Sequence, residues 1–153
     1  MRRKDREITD FAEIVKIMEK CDVCRLAMND GDYPYILPLN FGMKVENRTV
    51  ILYFHGADQG RKYEVIEKDN RASFEMDCSH ELVFDEKKAM CTMKYESVIG
   101  RGRVEILPEE EKMDALVLLT DRYHEKHFKF GTGILPHTVV MKLTVEEMTG
   151  KRR

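Results

Sequence analysis

The sequence predicts a small, mainly antiparallel α+β domain in which six strands curl into a closed or half-closed barrel flanked by three helices. Three observations lead there. Several short runs alternate apolar and polar residues with the period of two that a half-buried strand requires. Three other segments repeat apolar residues at helical spacing behind recognisable start signals. The polar turn Glu46-Asn47-Arg48 is short enough only for antiparallel neighbours.

The elements follow in order. Asp10 with Glu13 three residues later satisfies free backbone N–H groups in the manner of a capping box. Ile14, Val15, Ile17 and Met18 then recur at helical spacing, while Glu13, Lys16, Glu19 and Lys20 face water. From Cys24 the texture changes: Leu26-Ala27-Met28 runs into Asn29-Asp30-Gly31-Asp32, a turn of residues tolerant of positive φ. Residues 35–43 and 49–54 read as the next two strands. The turn-rich loop His55-Gly56-Ala57-Asp58-Gln59-Gly60 leads into a short helix from Arg61 to about Lys68 that buries Val65 and Ile66. Residues 72–78 form a strand, and the polar stretch 79–88 carries no clear signal.

The longest strand spans 94–107. One face carries Val98, Gly100, Gly102, Val104 and Ile106, the other Ser97, Ile99, Arg101, Arg103 and Glu105. Two glycines on one face imply close approach by another backbone, a bend, or a bulky ligand. Pro108 opens a third helix at its favoured first position, and Glu109, Glu110 and Glu111 complement the positive end of its dipole. That helix runs to about His124 with Met113, Leu116, Val117 and Tyr123 inward. Residues 131–136 are a loop, and Val139, Met141, Leu143 and Val145 alternate as the last strand. No repeat, low-complexity tract or linker divides the chain, so 1–153 reads as a single domain.

Composition excludes some functions. The 153 residues are 42% hydrophobic and 35% charged, with a net charge of -2. A nucleic-acid binder would carry a marked positive surplus, and no apolar run approaches the ~20 residues of a membrane span. The basic start lacks the apolar segment of a signal peptide. The cysteines Cys21, Cys24, Cys78 and Cys91 are therefore expected as reduced thiols of a cytoplasmic protein.

The most informative stretch is Tyr53 to Lys62. A strand ends, a glycine-containing loop follows, and a helix begins at Arg61-Lys62. Helix-start N–H groups favour an anion, and Gly60 lets a ligand approach the backbone. Arg61 can present a guanidinium fork to a phosphate, Lys62 a point charge, and His55 a further hydrogen bond. Cations at a helix start are otherwise unfavourable, a conflict an anion would resolve. The alternative is a surface loop with two solvated cations. The Gly-x4-Gly-Lys-Ser/Thr order of a Walker loop is absent. Pro38, within Tyr35-Ile36-Leu37-Pro38-Leu39-Asn40-Phe41, removes a ladder donor, so that strand is expected at an edge or bulged, with backbone groups free for a planar heterocycle. Ser97 and the nearby glycines either border a ligand or belong to a twisted core strand. Cys21-Asp22-Val23-Cys24 has metal-ligand spacing, but no second pair follows at zinc-ribbon spacing, and no metal is expected. His124-Glu125-Lys126-His127 lacks the HExxH order and reads as structural.

In order, Arg6-Glu7-Ile8, Pro34-Tyr35 with Pro38-Leu39-Asn40-Phe41, Tyr53-Phe54-His55 with Gly60-Arg61-Lys62, and Tyr95-Glu96-Ser97-Val98-Ile99 resemble the pyridoxamine 5′-phosphate oxidase-like FMN-binding superfamily, and within it the nitroimidazole-resistance branch. The resemblance implies a split β-barrel homodimer with two FMN sites at the interface. Pro38, Leu39, Asn40 and Phe41 would lie along the isoalloxazine; His55, Gly60, Arg61 and Lys62 would fall in the phosphate and ribityl region. Ser97 of the other protomer would close the site. FMN is expected ahead of FAD or a deazaflavin. The implied function is a flavin-dependent oxidoreductase moving electrons from a nicotinamide cofactor to a small acceptor, with His55 the one residue placed to act as an acid. The alternative is a flavin- or haem-binding module without turnover. Glu96 departs from the branch, which usually has Arg there.

Overall fold

In the computed structural model, which describes residues 2–124, 128–131, 133 and 135–153, the Asp10 half of the capping pair forms, while the Glu13 carboxylate turns to Lys16 at 2.8 Å. Asp10 accepts the Glu13 N–H at 2.9 Å at the start of α1 (Phe11–Lys20), which buries Ile14, Ile17 and Met18. Eight strands make one antiparallel sheet in the order β3-β2-β6-β7-β8-β5-β4, with β1 (Glu7–Ile8) on the far end of β8. They are β2 (Cys24–Asp30), β3 (Tyr33–Leu39), β4 (Gly42–Glu46), β5 (Thr49–Ala57), β6 (Arg71–Asp85), β7 (Met90–Ile106) and β8 (Thr138–Arg152). Leu26 of β2, Phe54 of β5 and Met141 of β8 meet in one core, so the sheet wraps upon itself, yet its edges β3 and β4 do not pair. This is the α+β split barrel the sequence resembles.

Six strands were expected and eight form. The single run expected over 35–43 divides at Asn40-Phe41, because β3 pairs with β2 while β4 pairs with β5 at the opposite edge. Alternation continues through both pieces, so the pattern alone hides the break. The other addition is β1, two residues long and too short to carry a pattern. Pro38 does lie on an edge strand, where a missing N–H costs nothing.

The unassigned stretch 79–88 joins β6 and β7 as a long hairpin. A bulge after Cys78 puts Ser79 at φ 58, and beyond it the ribbon pairs Leu82 with Met93 and Phe84 with Cys91. These four residues share one face of an arm that β2 and β8 no longer flank, and Leu82 and Phe84 are 62% and 61% exposed.

The two glycines of β7 meet neighbours within the chain. A Cβ on Gly100 would overlap the Phe74 ring, and one on Gly102 the Thr144 carbonyl, at the bulge where β8 carries Glu146 as an extra residue.

The third helix, α3 (Glu109–Tyr123), follows Pro108, which is the N-cap and not the first helical residue. It buries Lys112, Ala115, Leu116 and Leu119, whereas Met113 and Tyr123, expected inward, are 42% and 41% exposed. The helix is turned by about one residue because Lys112 belongs inside: its ammonium bonds Glu109 and the Leu135 carbonyl at 2.8 Å. Residues 125–127 of the His124–His127 run, and 132 and 134 of the loop at 131–136, lie outside the described residues.

Gly102→Ala is expected to lower stability by about 1–3 kcal/mol or more through overpacking against backbone. Gly131→Ala, where a Cβ meets open space, is expected to change it little. Urea midpoints of the two variants check this.

Candidate functional site

The chain passes from one sheet edge to the other through Asn40 and Phe41, and a set of hydrogen bonds holds that crossing. Asn40 Nδ2 donates to the Asp22 carbonyl at 3.0 Å, and Tyr123 Oη donates to the same oxygen at 2.8 Å. The Phe41 N–H donates to Tyr123 Oη at 3.0 Å. One Arg122 nitrogen reaches the carbonyls of Met18, Glu19 and Cys21 at 2.8, 3.0 and 2.6 Å, capping α1 where its orphan carbonyls need donors. The Arg122 guanidinium lies 4.1 Å from the centroid of the Phe41 ring, which is fully buried. Phe41 thus offers a candidate ligand backbone only, and its N–H is already engaged. Pro38 and Leu39 remain on the outer edge of β3.

Asn40 and His55 line one cleft of about 350 Å³ with Leu119, Thr120, Tyr123, His124 and Phe128. Its size suits a small organic molecule, and its walls are mainly apolar. The His55 side chain reaches solvent at the mouth, but the surrounding protein disfavours its charged form and lowers its pKa, leaving a neutral imidazole at pH 7. Sequence reasoning missed Thr120, Leu119 and Phe128. The available signal was the stripe Leu116, Leu119, Tyr123 on α3, which continues the helical spacing to the helix end.

The helix expected at Arg61 is α2 (Arg61–Lys68). Its N-cap, Gly60, adopts φ 130, a conformation that L side chains resist, and supplies no side-chain cap. Lys62 folds back over this start. Its ammonium donates to the Gln59 carbonyl at 3.2 Å and lies between Gly60 and Gly56, where a Cβ on Gly56 would press on the Lys62 side chain. The conflict of cations at a helix start has partners within the chain. Arg61 forks onto Asp30 at 3.0 and 2.6 Å and reaches Glu64 at 2.9 Å. Three of its five N–H donors are engaged, which leaves two for an anion. The pleat of β5 sends His55 toward α3 and Gly56, beside Lys62, to the opposite face.

Ser97 on β7 is set far from these groups. It pairs with Lys151 on β8, whereas His55 pairs with Val140. Those positions are eleven residues apart along β8, on the order of 30 Å at strand rise. Next to it, Glu96 is buried and accepts from Lys20 Nζ at 2.7 Å, Arg152 Nε at 2.5 Å and Ser79 Oγ at 2.9 Å. The Lys20 hydrogen bond, opposed by desolvation and aided by Arg152 and Ser79, pulls its pKa down to about 2. Its charge is neutralised internally, joining α1, the β6 bulge and β8. Among the described residues no group of acidic, histidine and cysteine side chains is arranged to hold a metal ion, and no helix is long and apolar enough to cross a membrane.

A wrapped, unclosed antiparallel sheet with a glycine-led helix start and a cleft at the strand crossing defines a split-barrel protein. The chain belongs to the pyridoxamine 5′-phosphate oxidase family, whose model matches residues 10–152. Within it the likeness is to the nitroimidazole-resistance branch: a candidate 5-nitroimidazole antibiotic resistance protein from Bacteroides thetaiotaomicron is 32% identical, with a TM-score of 0.81 over 95% of this chain and 86% of that one. The flavocytochrome Anf3 from Azotobacter vinelandii shares the fold with a TM-score of 0.83 at 19% identity, over 100% of this chain and 72% of that one. The FAD and haem binding protein from Mycobacterium smegmatis does so with 0.82 at 17%, over 96% and 73%. Comparison with curated proteins gave no match.

Two outcomes are expected. Glu96 has a depressed pKa in the fold, so its contribution is present above about pH 4.5 and is lost as pH falls toward 2. Glu96→Gln should therefore cost about 3 kcal/mol at pH 7 and much less at pH 2.5, read by denaturant melts at both. Arg122→Met, which keeps the stem and removes the donors, should cost about 2 kcal/mol and raise amide exchange at the end of α1.

Proposed function

We propose that this chain is a cytoplasmic, FMN-binding oxidoreductase that works as a homodimer, passing electrons from a nicotinamide cofactor to a small acceptor such as a nitroaromatic. The observation that carries the reading is the start of α2, where Lys62 lies over the Gly56–Gly60 notch at an uncapped helix N-terminus in a chain of this family. That notch fits a phosphate, because the glycines admit close approach and the ammonium keeps free protons. The flavocytochrome and the FAD and haem binding protein that share this fold support a flavin of some kind.

Lys62 would hold the phosphate first, with Arg61 adding its two free donors or exchanging Asp30 for the ligand. An exposed ion pair of this kind is worth only ~0–1 kcal/mol, so the exchange is cheap. Pro38, Leu39 and Asn40 would border the ring system, and the bound flavin would supply the electron-transfer chemistry. His55, neutral at the mouth of the apolar cleft, can donate a hydrogen bond to an acceptor there. The distance from Ser97 to His55 within one chain supports a second copy as the source of any Ser97 contact. The exposed apolar face of the arm, Leu82, Phe84 and Met93, supports the same arrangement.

Protein purified without added flavin should show oxidised-flavin absorption and release FMN on denaturation. Arg61→Ala with Lys62→Ala should weaken FMN binding at least about 100-fold in a flavin titration, in line with two charge-assisted contacts. Colourless protein that also fails to bind added FMN would overturn the reading. Yellow protein that oxidises no nicotinamide cofactor with any nitroaromatic would leave a flavin-binding module without turnover.

A further inference from the structure

Cys21 and Cys24 have the spacing of a dithiol, but the fold gives Cys21 a different neighbour. Cys24 opens β2 opposite Leu39 with its side chain wholly in the core. Cys21 closes α1 as its C-cap, and the thiol beside it is that of Cys78 on β6. The Cys21 S–H donates to the Ile17 carbonyl at 3.2 Å, and the Cys78 S–H has that same carbonyl and the Glu96 carboxylate each at 3.9 Å. Burial, and then the adjoining Cys78 thiol, raise the Cys21 pKa.

The two sulfurs differ in access. Cys21 is 1% exposed. Cys78 is half-buried and lines a cavity of about 410 Å³ with Lys20, Asp22, Arg25, Ser79 and His80. Ser79 Oγ is 3.6 Å from the Cys78 sulfur. Each cysteine also ends a regular element: Cys21 follows the last turn of α1, and Cys78 is the last paired residue before the β6 bulge. Small backbone adjustments there break little of the helix or the ladder.

We propose that Cys21 and Cys78 form a reversible redox pair, oxidised by peroxide to a disulfide that ties the end of α1 to β6. Cys78, the reachable sulfur, attacks one oxygen of hydrogen peroxide. The O–O bond breaks, the sulfur becomes a sulfenic acid, and one water leaves. The Cys21 sulfur then attacks the Cys78 sulfur, the S–O bond breaks, and a second water leaves. Two thiols and one peroxide give one disulfide and two waters, with two electrons passing from sulfur to oxygen; a dithiol reductant reverses it. The pair bears on the strand crossing, because the Cys21 carbonyl takes Arg122 and the Asp22 carbonyl takes Asn40 and Tyr123. Flavin has no part in the step, so it stands or falls apart from the cofactor reading.

The test uses the whole chain carrying Cys91→Ser, which removes the exposed thiol of the arm, purified without added flavin. After hydrogen peroxide and alkylation of the denatured chain, Cys21 and Cys78 should both escape the label, take it once dithiothreitol is added first, and appear in a digest as one peptide about 2 Da lighter than its two reduced halves together. With Cys21→Ser added, that species should drop at least about tenfold and Cys78 should be trapped as a sulfenic acid by dimedone. A cross-link between Cys21 and Cys24, over-oxidation of Cys78 while Cys21 stays reduced, or full alkylation of both thiols after peroxide would each overturn the proposal. Where the serine variant fails to fold, the peptide map of the Cys91→Ser chain decides.

Discussion

A two-residue crossing between opposite edges of one sheet is the constraint on which the rest of the molecule depends. β3 ends at Leu39 on one edge and β4 begins at Gly42 on the other. Two residues can span that gap only if the edges are brought together, so the barrel must wrap before the crossing is possible. What holds it is polar. The Asp22 carbonyl takes Asn40 and Tyr123, and Arg122 takes three carbonyls of the α1 terminus. Removing Arg122 would take a part-buried donor from the Cys21 carbonyl, at about 1–3 kcal/mol, while the exposed Glu19 and Asp22 carbonyls could turn to water. Packing adds a second restraint, because a Cβ on Gly42 would press on the α3 backbone at Leu119. The cleft shared by Asn40 and His55 is a by-product of this junction: α3 must come close enough to clamp the crossing, and its last turn forms the wall.

The cations differ in how firmly the chain holds them. Lys20 and Arg152 are committed to Glu96, a buried carboxylate that would be left uncompensated without them. Arg61 is committed to Asp30 more weakly, since that pair is partly exposed and screened. Lys62 makes one carbonyl hydrogen bond and otherwise lies against Tyr63, 4.3 Å from the ring centroid. The ranking follows from burial: freeing Arg61 or Lys62 breaks only exposed contacts, whereas withdrawing Lys20 or Arg152 uncovers the Glu96 carboxylate. Glu96 illustrates the converse: its charge is absorbed into an internal ion-pair cluster that fastens α1 to the sheet.

Much of the fold was legible because it rests on local rules. The Asp10 cap, the α2 boundaries, the edge position of Pro38 and the inward face of β7 from Val98 to Val104 all follow from spacing and backbone chemistry. The errors share one cause. The division of the third strand, the rotation of α3 and the pairing of 79–88 depend on which element lies across the gap, and alternation is the same either way. Lys112 carried no signal in the sequence, because the Leu135 carbonyl that holds its ammonium inside comes from a distant segment.

The same division runs through the candidate site. By itself the sequence determined the order of its pieces: a proline-bearing edge strand, a glycine-led helix start with two cations, and a distant strand bearing Ser97. These are properties of short segments, and short segments carry their own conformational preferences. Only the tertiary structure decided which pieces meet. It brought Asn40 to His55, turned Lys62 to the other face of β5, occupied Arg61 with Asp30, carried Ser97 away along β8 and set Cys21 against Cys78 instead of Cys24. Those choices come from closing a twisted sheet around one core, which fixes contacts between residues far apart in the chain and leaves no trace in the periodicity of either partner.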